Sequence, residues 1–152
     1  MRILALDIGK VRCGIAVSDP QERVASPVCV LPIDEVVADA PSFKRVLDDW
    51  EPEMIVAGLP LTLAGTEGPQ ARRIRGVVEQ IAQSCALPVT FADERLSSAE
   101  AKRSLSELGL TEKDKRGKVD MIAAGIFLQS WLDRRASEAD ASEDDIPTKG
   151  DQ

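Results

Sequence analysis

Three short aliphatic runs open the chain, at residues 3–7, 13–18 and 24–31, with only turn-sized gaps between them. Gly9 and Gly14 punctuate the first two, and the turn-like DPQER (19–23) precedes the third. Strands joined by such short turns are predicted to form an antiparallel meander. The pattern then changes. Val36, Ala40, Phe43, Val46, Leu47 and Trp50 recur at helical spacing, EPE ends that helix, and residues 54–57 form a compact apolar run closed by Gly58. A loop rich in Gly, Pro and Thr leads to a second amphipathic helix, with Ala71, Ile74, Val77, Val78, Ile81, Ala82 and Cys85 on one face. Residues 88–92 read as a fifth strand. Ser97 and Glu100 make a capping box for a helix running to about Leu108, which Gly109 ends. TEKDKRGK (111–118) reads as a mobile charged loop, and Val119, Ile122, Ala123, Ile126 and Leu132 line a last helix.

A meander followed by strand–helix alternation predicts an α/β fold: a mixed five-stranded sheet with helices packed on both faces. That architecture is ribonuclease-H-like. The order of the strands within the sheet is not contained in the pattern. The 152 residues divide into a folded domain over 1–135 and an acidic tail over 136–152, low in large apolar residues and expected to be disordered. Six acids and one base in that tail account for −5 of the net charge of −7, so the folded part is nearly neutral. A low overall charge therefore says little against nucleic acid, because local basic patches act over about 8 Å. No apolar run approaches the roughly 20 residues that span a bilayer, and the N-terminus lacks the long apolar stretch of a signal peptide. The expected location is cytoplasmic, with no membrane partner. Cys13, Cys29 and Cys85 include no CxxC pair and read as buried free thiols in a reducing compartment.

The chain has no histidine and no tyrosine. Every mechanism that relies on an imidazole base is excluded, including the Ser-His-Asp and Cys-His arrangements. Three scattered thiols without imidazole also disfavour a structural zinc site. Catalysis, if any, falls to carboxylates, lysines or a hard metal ion.

Acids stand where such sheets collect ligands, at the carboxyl ends of strands. Asp7 interrupts an otherwise apolar entry strand, where burial without partners would cost several kcal/mol. Asp93 and Glu94 follow the strand PVTFA, and a polar strand exit explains them equally well. Asp120 stands at the expected start of the last helix, where an acid is commonly a simple dipole partner. Converging carboxylates repel one another unless their pKa values rise or a cation neutralises them. An all-oxygen cage suits Mg²⁺ or Mn²⁺. Two such ions about 3.5–4 Å apart could clamp the attacking and leaving oxygens of a phosphodiester displacement.

DIGKVRCGIAVSD (7–19), IVAGLPLTLAGTEGPQA (55–71), DERLSSAEA (93–101) and KVDMIAAGIFLQSWLD (118–133) resemble, in order and spacing, the four motifs of the YqgF family. That family is RuvC-like with a ribonuclease H fold, and its members are described as pre-16S rRNA nucleases and as Holliday junction resolvases. The resemblance implies an acidic triad of Asp7, Glu94 and Asp120 that would hold Mg²⁺ or Mn²⁺, Asp7 bridging, with water as the nucleophile. It implies a metal-dependent nuclease acting in 5′-end processing of pre-16S rRNA during ribosome biogenesis, or alternatively a resolvase of branched DNA. It departs from the family at one place: Lys10 and Arg12 flank Val11, where the family often has adjacent basic residues. Arg12 keeps its place and the lysine is shifted by one.

The basic residues cluster as Lys10 with Arg12, as Arg72, Arg73 and Arg75, and as Lys113, Lys115, Arg116 and Lys118. The candidate nucleic-acid contacts are Arg12, Lys10, Thr62, Arg72, Lys115, Arg116 and Lys118. A solvated helix face is the plainer reading of the arginines at 72–75, and a plain surface turn of the Thr62 loop. The five aromatic residues fall mostly on expected core faces, so no stacking platform for single strands is evident. The partner is expected to be an RNA precursor or branched DNA, with a ribosomal subunit precursor as a further candidate, and the chain a monomer or homodimer. Two rival readings remain open. One is a relative of actin-like ATPases, whose first loop also reads DxGxxxxG. The other is a non-catalytic RNA-binding ribosome-assembly module.

Overall fold

The computed structural model describes residues 1–94 and the backbone of 112–145, with side chains described for 1–94 and 121–139. Strands β1 (Ile3–Ile8), β2 (Arg12–Ser18) and β3 (Ala25–Pro32) come first. Helices α1 (Ile33–Val37) and α2 (Pro41–Trp50) lead to β4 (Met54–Leu59), and α3 (Pro69–Cys85) to β5 (Val89–Asp93). The long helix α4 spans Glu112–Asp145. The sheet order is β3-β2-β1-β4-β5. β1–β2 and β2–β3 are antiparallel, whereas β1–β4 and β4–β5 are parallel. The meander and the mixed five-stranded sheet predicted from the sequence are both present.

Side-chain alternation along the strands sorts the core into two layers. Leu4, Leu6, Ile8, Cys13, Ile15, Val17, Ile55, Ala57 and Leu59 pack against α1, α2 and α3. Ile3, Ala5, Ala16 and Val56 face the other way, against Ala124, Phe127, Leu128 and Leu132 of α4. Helices therefore cover both faces. The predicted face of α3 is borne out: Ala71, Ile74, Val78, Ile81 and Ala82 are buried, with Val77 and Cys85 partly so. Of the thiols, Cys13 is buried while Cys29 and Cys85 are only half-buried, and all three are free. Burial pushes the Cys29 and Cys85 thiols above their ordinary pKa, which keeps them protonated and unreactive.

Four expectations are corrected. The helix expected across 36–50 is two helices, broken at residues 38–40. Asp39 takes a left-handed φ of 53°, and Ala40 is extended because Pro41 disfavours a helical residue before it. The segment TEKDKRGK is helical from Glu112 onwards, not a loop. Its acids and bases stand four apart in sequence (Glu112 and Arg116, Asp114 and Lys118), a spacing that supports a helix, and they outweigh the single Gly117. The buried stripe of α4 is Ala124, Phe127, Leu128 and Leu132, one position round from the stripe read in the sequence. Gly125 explains the rotation. It lies against Pro27 of β3, where an added Cβ would come within 3.1 Å of the proline Cγ, so the helix approaches the sheet through its glycine. The helix also continues through residues 136–145, where the acidic tail was expected to begin; three alanines and two glutamates there favour helix. The capping box at Ser97 and Glu100 and the helix to Leu108 lie outside the described residues.

Phe43 anchors the layer beneath α2 and is fully buried. Phe43→Ala should destabilise the protein by about 3–5 kcal/mol, because the lost transfer free energy is joined by that of the cavity left behind. Urea unfolding followed by circular dichroism measures the loss.

Candidate active site

Asp7 lies near the carboxyl end of β1, the central strand of the sheet. Alternation from Ile3 and Ala5 puts its side chain on the α4 face. Its neighbours across the sheet are glycines. Gly14 of β2 is its register partner, and one step beyond the Leu6–Ala57 pair the β1–β4 register sets it beside Gly58. With no side chain on either flank, Asp7 is half-buried and not wedged into the core. That answers the desolvation cost a buried lone acid would carry.

Glu94 follows β5 directly and comes to the same place. A Cβ added at Gly58 would sit 3.2 Å from Glu94 Cβ, 3.4 Å from Glu94 Cγ and 3.4 Å from Phe127 Cε2. The Glu94 stem therefore lies over Gly58, held there by the α4 phenylalanine, and Asp7 and Glu94 flank one glycine on one face. Asp93 is the last residue of β5 and alternates to the opposite face.

Asp120 belongs to α4, but its side chain lies outside the described residues, as do those of Lys115, Arg116 and Lys118. Its backbone position alters one expectation. With α4 starting at Glu112, position 120 is in the third turn, not at the helix start. The macrodipole acts within the first turn, so dipole pairing does not account for an acid there. Among the described residues, no three Asp, Glu or Cys side chains gather closely enough to hold a metal ion.

The basic candidates separate by role. Arg12 is exposed and, by alternation with Gly14 and Ala16, belongs to the Asp7 face. Lys10 is exposed in the tight turn between β1 and β2, where the Gly9 amide donates to the Arg12 carbonyl at 2.8 Å. That turn needs glycine, since a Cβ on residue 9 would come within 2.8 Å of the same carbonyl oxygen. Arg72 is exposed on α3. Arg75, by contrast, is committed to structure. It donates to both carboxylate oxygens of Glu67 at 2.8 and 3.1 Å and stacks 4.3 Å over the Phe91 ring. Thr62 belongs to a small closed turn: its hydroxyl pairs with that of Thr66 at 2.8 Å, and its amide donates to the Thr66 carbonyl at 2.9 Å.

The glycine pair around Asp7, the position of Gly58 under Glu94, and the Glu67–Arg75 lock were not visible in the sequence as such. GTEG and the arginine run marked their neighbourhood without showing what touches what. The Arg75 guanidinium holds the Glu67 carboxyl below its usual pKa of 4.5, through their hydrogen bond first and their charge second. A depressed carboxylate stabilises the fold above its unfolded pKa and loses that contribution as pH falls through the folded value. The stability gap between the parent and Glu67→Gln should therefore be open at pH 7 and close below about pH 4.5, as chemical denaturation at several pH values would show.

A family model described as "RuvX: Holliday junction resolvase" matches residues 1–134. A protein of Anaeromyxobacter sp. (strain K), named "Putative pre-16S rRNA nuclease", is 43% identical over 136 residues, covering 90% of this chain and 99% of that one. A protein of the same name from Roseiflexus sp. (strain RS-1) is 36% identical over 135 residues, covering 87% and 94%. The fold is similar to that of T. thermophilus RuvC in complex with a Holliday junction substrate, with a TM-score of 0.54 at 18% identity and coverage of 90% and 96%. The ribonuclease-H-like architecture is thus shared, and by the match across 1–134 this chain belongs to the RuvX family, the family that the four motifs resemble.

Proposed function

We propose that this chain is a divalent-metal-dependent nuclease that hydrolyses phosphodiester bonds in the 5′-end processing of pre-16S rRNA. The observation that carries the reading is the meeting of Asp7 and Glu94 around Gly58, on the face that α4 covers. The name that the relatives from Anaeromyxobacter and Roseiflexus share directs it to ribosomal RNA precursors. Cytoplasmic location goes with that substrate, and no helix among the described residues is long and apolar enough to cross a membrane.

The geometry of α4 supports Asp120 as the third carboxylate. The lower end of the helix is pinned beside the start of β1: Arg135 pairs with Glu22 at 3.0 Å, and Glu22 also meets the Met1 amine at 3.4 Å. From there back to position 120 the helix climbs about 22 Å at 1.5 Å per residue. From Met1 to Asp7 the strand climbs about 20 Å at 3.3 Å per residue. The two rises are similar, which supports position 120 as a partner of Asp7, and 120 is one turn upstream of the buried Ala124.

The residues fit a hard cation. Every candidate donor is a carboxylate oxygen, and the residues beside Asp7 on both neighbouring strands are glycines. Asp7, Glu94 and Asp120 would hold Mg²⁺ or Mn²⁺. A bound ion of this kind supplies charge for the leaving oxygen and lowers the pKa of an attacking water. Arg12, on the Asp7 face, and Lys10, at the hairpin tip, would hold the scissile strand through its phosphates. Arg72, Lys115, Arg116, Lys118 and the Thr62 loop would extend that contact along the backbone. These contacts carry no sequence information, so they suit positioning more than readout. The family description and the junction-bound RuvC fold favour a second reading, cleavage of branched DNA by the same carboxylates.

Asp7→Asn, Glu94→Gln and Asp120→Asn should each lower metal-dependent cleavage of a 5′-extended 16S rRNA precursor at least about a hundredfold while leaving the melting temperature within a few degrees. Parallel assays on that precursor and on a four-way DNA junction decide between the two substrates, and activity that survives in all three variants removes the reading. Arg12→Ala should reduce the slope of log affinity against log salt by about one phosphate contact, measured by fluorescence anisotropy.

A further inference from the structure

All five aromatic side chains of this protein lie within the described residues, and none is fully exposed. Phe43 and Phe127 are buried. The other three are partly buried, and an arginine lies over each. Arg2 is 5.7 Å from the Trp50 ring centroid, Arg75 is 4.3 Å from that of Phe91, and Arg135 is 5.1 Å from that of Trp131. Proteins that hold single strands commonly stack bases on aromatic faces, and here each partly buried ring already has an arginine against it. An exposed aliphatic side chain is a second source of apolar contact with a base.

Leu63 has the placement for it. It is fully exposed, at 101% of its reference area, on the loop that follows β4, the strand whose Gly58 underlies Glu94. Its loop is held at two levels. At the tip, the Thr62 and Thr66 hydroxyls pair, the Gly65 amide donates to the Thr62 carbonyl at 2.8 Å, and Gly65 takes a left-handed φ of 81°. At the base, Leu61 bridges to Glu67, and Glu67 is clamped by Arg75, itself seated on Phe91. Single exposed apolar residues are ordinary on protein surfaces. This one sits on a hydrogen-bonded turn at the end of the sheet where Asp7 and Glu94 lie. Val11, 71% exposed between Lys10 and Arg12, stands on the neighbouring hairpin at the same end.

We propose that Leu63 is a specificity-determining contact, an aliphatic wedge that packs against an unstacked nucleobase next to the scissile phosphate and so favours unpaired or distorted strands over regular duplex. Leucine is among the side chains that wedge between base steps, and the partial unstacking it causes is cheapest where the base is already unpaired. The role rests on the nuclease reading above. A protein partner is the weaker match. Leu63 and Val11 are isolated tips, and the residues flanking Val11 are cations suited to phosphates.

The test uses the full chain with two RNAs of one sequence, a hairpin with an unpaired 5′ extension and the fully paired duplex, each with 2-aminopurine beside the cleavage position. A four-way DNA junction labelled in the same way makes a third arm. Leu63→Ala should weaken binding to the unpaired RNA by about tenfold, abolish the 2-aminopurine rise and narrow the unpaired-to-paired preference, and Leu63→Met should keep all three. Val24→Ala, an exposed apolar residue at the opposite end of the sheet, serves as the control. Benzoylphenylalanine at position 63 should cross-link to RNA, or to the junction if DNA is the substrate. Binding, fluorescence and preference equal to the parent in Leu63→Ala would overturn the inference and leave the nuclease reading standing. Cross-linking to a second copy of the chain in place of nucleic acid would overturn it too. A parent that neither binds nor cuts any of the three substrates would remove both readings together.

Discussion

The pairing of β1 with a neighbour on each side is the constraint on which the rest depends. Among the described residues, β1 is the only strand with an antiparallel partner on one flank and a parallel one on the other, so it lies at the junction of the meander and the strand–helix half. That double register puts a glycine beside Asp7 on both sides. An acid in the middle of a sheet is normally a desolvation problem. Here the missing side chains turn it into a half-open position, and the same gap at Gly58 lets the Glu94 stem settle against the sheet. Asp7 of β1 and Glu94, just after β5, are far apart in the chain and flank the same glycine because β4 lies between β1 and β5.

The helix layers have unequal tasks. α1, α2 and α3 cover the larger apolar face and carry most of the core. α4 covers a smaller face of Ile3, Ala5, Ala16 and Val56, leaving the carboxyl end of that face to the acids. It is positioned by devices that are not hydrophobic: Gly125 against Pro27, Gln129 accepting from the Ala25 amide at 2.9 Å and donating to the Arg23 carbonyl at 2.9 Å, and Arg135 on Glu22. A long helix across one face of a sheet needs its axial position defined, and directional hydrogen bonds define it better than apolar contact alone. The arginines divide in the same manner. Arg2, Arg75 and Arg135 lie on aromatic rings and serve the fold, whereas Arg12 and Arg72 stay at the surface.

Much of the architecture was legible beforehand. The first three strands, the face of α3 and the mixed sheet all follow from period-2 and period-3.6 patterns, which report burial directly. The errors fell where the pattern is ambiguous or where long-range contacts decide. Apolar periodicity runs straight across residues 36–50, but Pro41 and the left-handed Asp39 divide the helix. Charge density made 111–118 look like a loop, although four-residue spacing of opposite charges supports a helix as well as a solvated coil. The face of α4 was misread by one position because Ile122, Ala123 and Ile126 are as apolar as the residues that are buried. Leu132 belongs to both stripes, and the Gly125–Pro27 contact helps choose between the other positions.

The sequence by itself determined the chemical type of this protein. The absence of histidine and tyrosine, the acid that interrupts the first strand and the four family motifs leave carboxylate chemistry on a ribonuclease-H-like sheet, because residue types and local periods are properties of the chain alone. Which groups meet was decided only by the tertiary structure. That Asp7 lies between Gly14 and Gly58, that Glu94 rests over Gly58 under Phe127, and that Arg75 is withdrawn to clamp the Leu63 loop all depend on contacts between residues tens of positions apart. Local pattern carries no record of such pairings, since their free energy exists only once the sheet register has closed.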